Sequence, residues 1–335
     1  MKPTIKDVAE LAGVSTATVS RVLNEPGTVS DKLTDKVKEA VRELNYRPNS
    51  MAKGLRTNKT HTIALLITDN ESPFYARLVR GVEDTALENH YSLMVCNTDE
   101  ELEKERLYLD TLVQRSIDGL IVSPTGRYND KLDEIKSDGI PFVFIDRKLE
   151  RIETDVVLTE NLKGSYGATK HLITRNHERI GVISGVKNVT TNKERLQGYK
   201  KALREFRIDV KEELIVEGSY TTEGGEEATK SLLSLKNRPS AIFSFNGKMM
   251  MGALKTLRRK GFSYPEDISL VSFDDFDVFS VINPPLTAVK QSTYEMGVRA
   301  FNLLLGKING DRKRNSQEIV RVPAELVVRG STATL

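Results

Sequence analysis

The chain has 335 residues, 39% apolar and 29% charged, which is long enough for more than one domain and ordinary for a soluble globular protein. Its single cysteine, Cys96, excludes an internal disulfide, and no run approaches the ~18 apolar residues of a membrane-spanning helix. The formal charge of +3 is unevenly spread: residues 1–60 hold eleven Lys and Arg against seven Asp and Glu, and the other 275 hold 39 against 40. A basic excess on the first sixth of the chain is expected of a small nucleic-acid-binding module on a neutral body.

In chain order, IKDVAELA (5–12) has apolar residues at 5, 8, 9, 11 and 12, a helical spacing. Thr4 is its N-cap, Asp7 follows three residues on in the manner of a capping box, and Gly13 stops it. A second short helix over 15–23, capped by Ser15, turns Val14, Val19, Val22 and Leu23 inward. Thr16, Ala17, Thr18, Ser20 and Arg21 are left to point outward. Helix interiors disfavour Thr and Ser, which compete for the backbone, so this face reads as a surface with a task. A turn-rich loop (24–30) leads to a third helix over 31–46. Three short helices with a tight Gly turn between the first two make a helix-turn-helix, whose second helix lies in the major groove. Arg21 can fork onto guanine, and Ala17 and the Thr methyls can touch thymine. Residues 47–61 predict a linker with a short helix over 50–56, capped by Asn49, too short to persist alone in water.

From residue 61 the pattern changes. Strand-like runs at 62–68, 91–97, 119–123 and 142–146 alternate with helices over 73–90, 101–115 and 129–137. The alternation resumes with helix 162–175 and continues through strands at 179–184, 214–218, 241–245 and 268–273. It predicts an α/β core of two Rossmann-like lobes with a ligand crevice beyond the carboxyl ends of the strands. Cys96 lies in an apolar strand and reads as packing. The charged start MKPTIKDVAEL lacks the apolar region of a signal peptide, so a cytoplasmic, nucleoid-associated protein is expected.

TIKDVAELAGVSTATVSRVLN, NYRPNSMAKGLR, DNESPFYARLVRGVED, ERLQGYKKAL, PEDISLVSFDD and LTAVKQSTYEMGVRA occur in the order in which the LacI/GalR family of bacterial transcription repressors carries similar segments, and the resemblance covers the whole chain. It implies a helix-turn-helix head (1–47), a hinge helix and linker (48–60) and an effector-binding and dimerisation core (61–335) resembling periplasmic sugar-binding proteins. The amino-terminal lobe would take about 61–160 and 291–320, the carboxy-terminal lobe about 161–290 and 321–335. It further implies a homodimer on a pseudo-palindromic duplex operator. DNA contacts would come from Thr4, Ser15, Thr16, Ala17, Thr18, Ser20, Arg21 and Asn24 in the head and from Asn49, Ala52, Lys53, Leu55 and Arg56 in the hinge. There Leu55 would wedge into a minor-groove base step.

The implied effector set is Ser72, Phe74, Asp146, Arg147, Arg195, Asn246, Asp274 and Gln291. Ser72 stands where the family usually has Asn, and Gly247 replaces an Asp. Arg147 could instead pair with Glu150 or Glu153 on the surface. An extra Arg147 and a missing acid at 247 point to a less acidic pocket, and so to a sugar-like effector that is anionic, a sugar acid or sugar phosphate. Two alternatives stay open: control by a phosphorylated carrier protein docking on the amino-terminal lobe, and a sugar-binding module without a specific DNA target. An enzyme is not expected. There is no Walker, G-x-G-x-x-G, H-E-x-x-H or G-x-S-x-G pattern, and His61, His90, His171 and His177 have no metal-like spacing. No cofactor or metal is expected. The absence of leucine heptads near the end favours a dimer over a tetramer.

Overall fold

The computed structural model describes residues 3–24, 27–46, 59–312 and 317–335, so the expected hinge helix and its five contact residues lie outside the described residues. The chain divides into two compact units, Met1–Thr60 and His61–Leu335.

In the first unit, α1 (Ile5–Ala12), α2 (Thr16–Asn24) and α3 (Asp31–Glu43) enclose a small core of Val8, Ala9, Ala12, Val19, Val22, Val37 and Ala40. The Asp7 carboxylate accepts from the Thr4 N–H (2.6 Å) and hydroxyl (2.8 Å), which ties down the start of α1. Gly13 ends α1 in the left-handed region at φ 63°, a conformation glycine adopts without a Cβ penalty. The Ser15 hydroxyl accepts from the Thr18 N–H at 3.1 Å and caps α2. α3 ends at Glu43 rather than 46, because Asn45 turns the backbone to φ 48°.

The second unit carries two six-stranded sheets. In chain order, β1 (Thr62–Ile67), α4 (Pro73–Glu88), β2 (Ser92–Asn97), α5 (Leu102–Gln114), β3 (Gly119–Val122), α6 (Asp130–Ser137), β4 (Phe142–Ile145) and β5 (Val156–Thr159) build most of the first lobe. The second holds α7 (Asn161–Ile173), β6 (Ile180–Ser184), α8 (Thr190–Glu205), β7 (Ile215–Glu217), α9 (Thr222–Ser234), β8 (Ala241–Ser244), α10 (Gly247–Lys260), β9 (Ser269–Phe273), the short α11 (Val278–Val281) and β10 (Thr287–Gln291). The chain then returns. α12 (Thr293–Asn309) packs on α4 and β11 (Ile319–Val322) joins β5, whereas β12 (Ala324–Val327) pairs with β10.

Strand order is β11-β5-β4-β3-β1-β2 in one sheet and β12-β10-β9-β8-β6-β7 in the other. All described pairings are parallel except β10 with β12. In each sheet the order reverses beside the first strand of the lobe, the place where open α/β sheets bind ligands. β3, β4, β6, β8 and β9 are buried at every residue, which is why they read as continuous apolar runs.

Candidate functional site

Residues Thr16, Ala17 and Arg21 stand exposed on α2, with Thr18 and Ser20 half-buried beside them. Thr4 and Ser15 are exposed at the two helix starts, where both also act as caps. The Ser15 and Thr18 hydroxyls lie 3.0 Å apart and hold each other. Asn24 closes α2, and its side chain lies outside the described atoms. This geometry leaves short side chains and one guanidinium facing outward from a helix whose back is fixed by Val19 and Val22, a surface able to approach base edges closely.

The core unit holds a cavity of about 260 Å³, and all eight expected effector residues line it. They arrive on strand ends. Ser72 and Phe74 follow β1, Asp146 and Arg147 follow β4, Asn246 follows β8, Asp274 follows β9 and Gln291 closes β10; Arg195 comes from α8. Six lining residues hold left-handed backbone: Asp99 (φ 52°), Glu100 (60°), Asp146 (64°), Ser219 (50°), Tyr220 (62°) and Asp274 (79°). L-residues disfavour this region, and such strain gathers at functional sites.

Asp274 is held from two sides. The Gly247 N–H donates to its Oδ2 at 3.0 Å and Gln291 Nε2 to its Oδ1, and Thr159 in turn donates to Gln291 Oε1. Asp146 Oδ2 accepts from Tyr75 Oη at 3.1 Å. Burial pushes both carboxyls above the usual carboxylate range, against the pull of nearby arginines. Arg195 donates from Nε to Asn161 Oδ1 at 2.9 Å and from Nη1 to the Phe245 carbonyl, and its guanidinium lies 3.8 Å from the Phe273 ring centroid. Asn246 accepts from the Met249 N–H (2.8 Å) and donates to the Tyr220 carbonyl (3.2 Å), so it caps α10 while facing the cavity.

Arg147 differs from the surface alternative. It is buried, and its two Nη atoms each donate to Glu100 at 2.7 Å, a bidentate pair from the loop after β2. Glu150 pairs with Lys193 instead, at 3.2 Å. Burial disfavours the Arg147 charge, but Glu100, Tyr75 and Asp146 outweigh that and hold it firmly protonated. Arg147 therefore adds no uncompensated positive charge. The lining carries six carboxylates (Asp69, Glu71, Asp99, Glu100, Asp146, Asp274) against Arg147, Arg195 and Lys248. The missing acid at 247 also has a local cause, because a Cβ there would stand 2.4 Å from the Phe276 ring.

Sequence reasoning did not pick out Tyr75, Glu100, Thr191, Tyr220 or Lys248, all in the lining. Tyr75 is next to Phe74 and could have been noticed; the others carry no local signal. Tyr220 contributes a ring 5.1 Å from the Arg147 guanidinium and shares a 3.0 Å hydrogen bond with Thr191.

Comparison with known proteins follows the same division. The profile described as "Bacterial regulatory proteins, lacI family" matches residues 4–49, and "Periplasmic binding proteins and sugar binding domain of LacI family" matches 60–329. The chain belongs to the LacI family of bacterial regulatory proteins. Among relatives of this LacI-family chain, the "HTH-type transcriptional repressor PurR" of Actinobacillus pleuropneumoniae serotype 3 (strain JL03) is 38% identical over 332 residues, 99% of each chain. The solved structure of a "transcriptional regulator CelR-cellobiose complex" is 32% identical with a TM-score of 0.76, covering 98% of this chain and 99% of that one. The lac repressor dimer bound to operator and the anti-inducer ONPF is 26% identical with a TM-score of 0.87, covering 99% and 100%. This family member is thus a DNA-binding transcriptional repressor with a small-molecule-binding core, and its relatives are regulators rather than enzymes. Among the described residues no helix is long and apolar enough to cross a membrane.

Proposed function

We propose that this repressor works as a homodimer on a pseudo-palindromic operator in the nucleoid, reading it with α2 and wedging Leu55 of the hinge into a base step. We propose further that a neutral, sugar-like effector in the core cavity controls its operator affinity. The observation that carries the effector class is the Glu100–Arg147 pair. The expectation of an anionic effector rests on Arg147 and on the missing acid at 247; the bidentate counter-charge removes the first reason, and six lining carboxylates against three cations weigh against the second. What remains for a ligand is Arg195 opposite Asp146 and Asp274, each anchored by the protein yet open to the cavity. Carboxylates accept from sugar hydroxyls and a guanidinium donates to them, and aromatic walls such as Phe74 and Tyr220 suit the apolar face of a sugar ring. The cognate operator would be bound by the dimer at half-sites about one helical turn apart.

A second reading is a neutral planar heterocycle, such as a purine base, between Phe74 and Tyr220; the 38% identity to proteins named PurR favours keeping it. Calorimetric titration of the full chain with ribose, glucose, gluconate, glucose 6-phosphate and hypoxanthine separates the readings. Binding of a neutral sugar alone supports the first. Tightest binding of gluconate or the phosphate rejects it, and binding of hypoxanthine alone replaces it with the second.

A further inference from the structure

Lys248 is outside the hydroxyl-binding set described above. It is the second residue of α10, and its ammonium reaches across the cleft to the loop after β1. Nζ lies 2.8 Å from Asp69 Oδ2 and 3.4 Å from Glu71 Oε2. All three residues line the cavity. The Lys248 and Asp69 side chains are each 23% exposed, whereas Glu71 is 81% exposed, so the first pair is shielded from solvent and the second is not. Other ion pairs also join the lobes, the exposed Arg77–Asp277 and Lys193–Glu150 and the bidentate Arg321–Glu194, but all three lie outside this lining.

The local sequence directs the ammonium to this place. Gly247 has no room for a side chain beside Phe276, and its N–H is fixed by Asp274 Oδ2 at 3.0 Å. The start of α10 is therefore pinned at the strand ends, and Lys248, next in the chain, faces the opposite lobe. Burial opposes its charge, but Asp69 and Glu71 outweigh that and hold its pKa above the usual lysine value.

We infer that Lys248 determines effector size: its ion pair with Asp69 clasps the two lobes at the cavity rim and confines the ligand to a single sugar ring. The ligand-size half of this inference rests on the neutral-sugar reading; the clasp does not. A cavity of about 260 Å³ lies just below the ~300–1,000 Å³ usual for small-molecule sites, the scale of one ring rather than of a chain of them. A longer ligand has to part Lys248 from Asp69 and leave both charges poorly paired, and that cost discriminates against it.

Hydrogen exchange of the ligand-free full chain reads the clasp without any ligand. Amides of 68–72 and 246–250 are expected to exchange about two- to fivefold faster in Lys248→Met than in the native chain, the range of a partly shielded pair. They are also expected to exchange faster in the native chain at 0.5 M than at 0.05 M NaCl, because salt screens such a pair. The charge-swapped double variant Asp69→Lys/Lys248→Asp should return toward native rates, which loss of packing alone would not do. Titration then compares glucose with cellobiose. The native chain is expected to prefer the monosaccharide by about tenfold or more, and Lys248→Met to narrow that ratio by at least the exchange factor. Exchange indifferent to both variant and salt overturns the clasp. Accelerated exchange with an unchanged size ratio overturns the size-determining role. Accelerated exchange with neither sugar bound defeats the neutral-sugar reading and the size role together, while the ion pair keeps its closing role.

Discussion

Replacing Glu100 by Gln tests the charge reasoning behind the effector class. The substitution keeps the shape of the side chain and removes the charge facing Arg147. One of the two 2.7 Å hydrogen bonds then loses its ionic character and the other is lost, because the amide nitrogen of Gln donates and cannot accept, and a guanidinium with 5% of its side chain exposed is left without its main counter-charge. Breaking a fully buried pair costs about 3–5 kcal/mol. The Glu100 side chain is 29% exposed, so solvent relieves part of the penalty and about 2–3 kcal/mol is the reasonable figure. At about 2–4 °C per kcal/mol for a unit of this size, Tm of the core should fall by about 5–10 °C, read by far-ultraviolet circular dichroism at pH 7.5. The same variant gives the cavity one more unit of positive charge, so gluconate should gain affinity relative to glucose, by about tenfold if Arg147 is reached directly. A Tm within about 1 °C of native, with no gain for gluconate, would refute the claim that Glu100 neutralises Arg147.

Three further outcomes are expected. Arg21→Ala should weaken binding to a selected operator by about 1–3 kcal/mol and relax base preference at one position per half-site, while the circular dichroism melt stays unchanged. Leu55→Ala should keep the melt and lose most of the specific over non-specific affinity in a duplex titration; undiminished operator binding would remove the wedge. Burial, with Arg175 and His177 alongside, pushes the pKa of His171 down to about 4, and its Nε2 lies 2.9 Å from Thr332 of the carboxy-terminal segment. The native state then binds fewer protons than the unfolded chain between about pH 6.5 and 4, so this contribution is complete above that window and declines as pH falls through it. His171→Gln should flatten that part of the stability–pH curve in denaturant titrations; an identical slope would show that His171 is not the group.

Much of the core was legible because its strands are buried on both faces. TIALLI and FVFI are nearly continuous apolar runs, and in SLVSF the two serines are buried with the rest, so none has a solvent face to confuse the period. Four strands escaped notice. VVLT of β5 sits directly before a helix, with no turn signal between. TAVKQ of β10 has only two apolar residues among five, although four of the five are buried. β11 and β12 are four residues each, with exposed positions that spoil the run. In the head, the caps at Thr4 and Ser15 and the stop at Gly13 are local chemistry, and they read directly from sequence neighbours.

The cavity was legible through the resemblance, which named Ser72, Phe74, Asp146, Arg147, Arg195, Asn246, Asp274 and Gln291, and of these Asp146, Asn246 and Asp274 also stand at the ends of strands read from the sequence; Glu100, Tyr220 and Lys248 lie on loops or early helical turns whose partners are 47 residues away in one case and 179 in another. Arg147 shows the limit most clearly. Glu150 and Glu153 are near it in sequence, but the left-handed turn at Asp146 (φ 64°) precedes it and it pairs with a loop from another strand. No glycine marks any of the six left-handed lining residues, so nothing in the sequence announced that turn.

The most direct test of the central claim is operator selection from random duplexes with the purified full chain at about 150 mM salt, near physiological ionic strength, repeated with a neutral sugar identified by titration. Enrichment of a palindrome of about 14–20 base pairs is expected, with affinity for it changed at least severalfold by that sugar while binding to scrambled duplex stays the same. Equal binding to all duplexes, or an operator affinity that no cavity ligand alters, would contradict that claim.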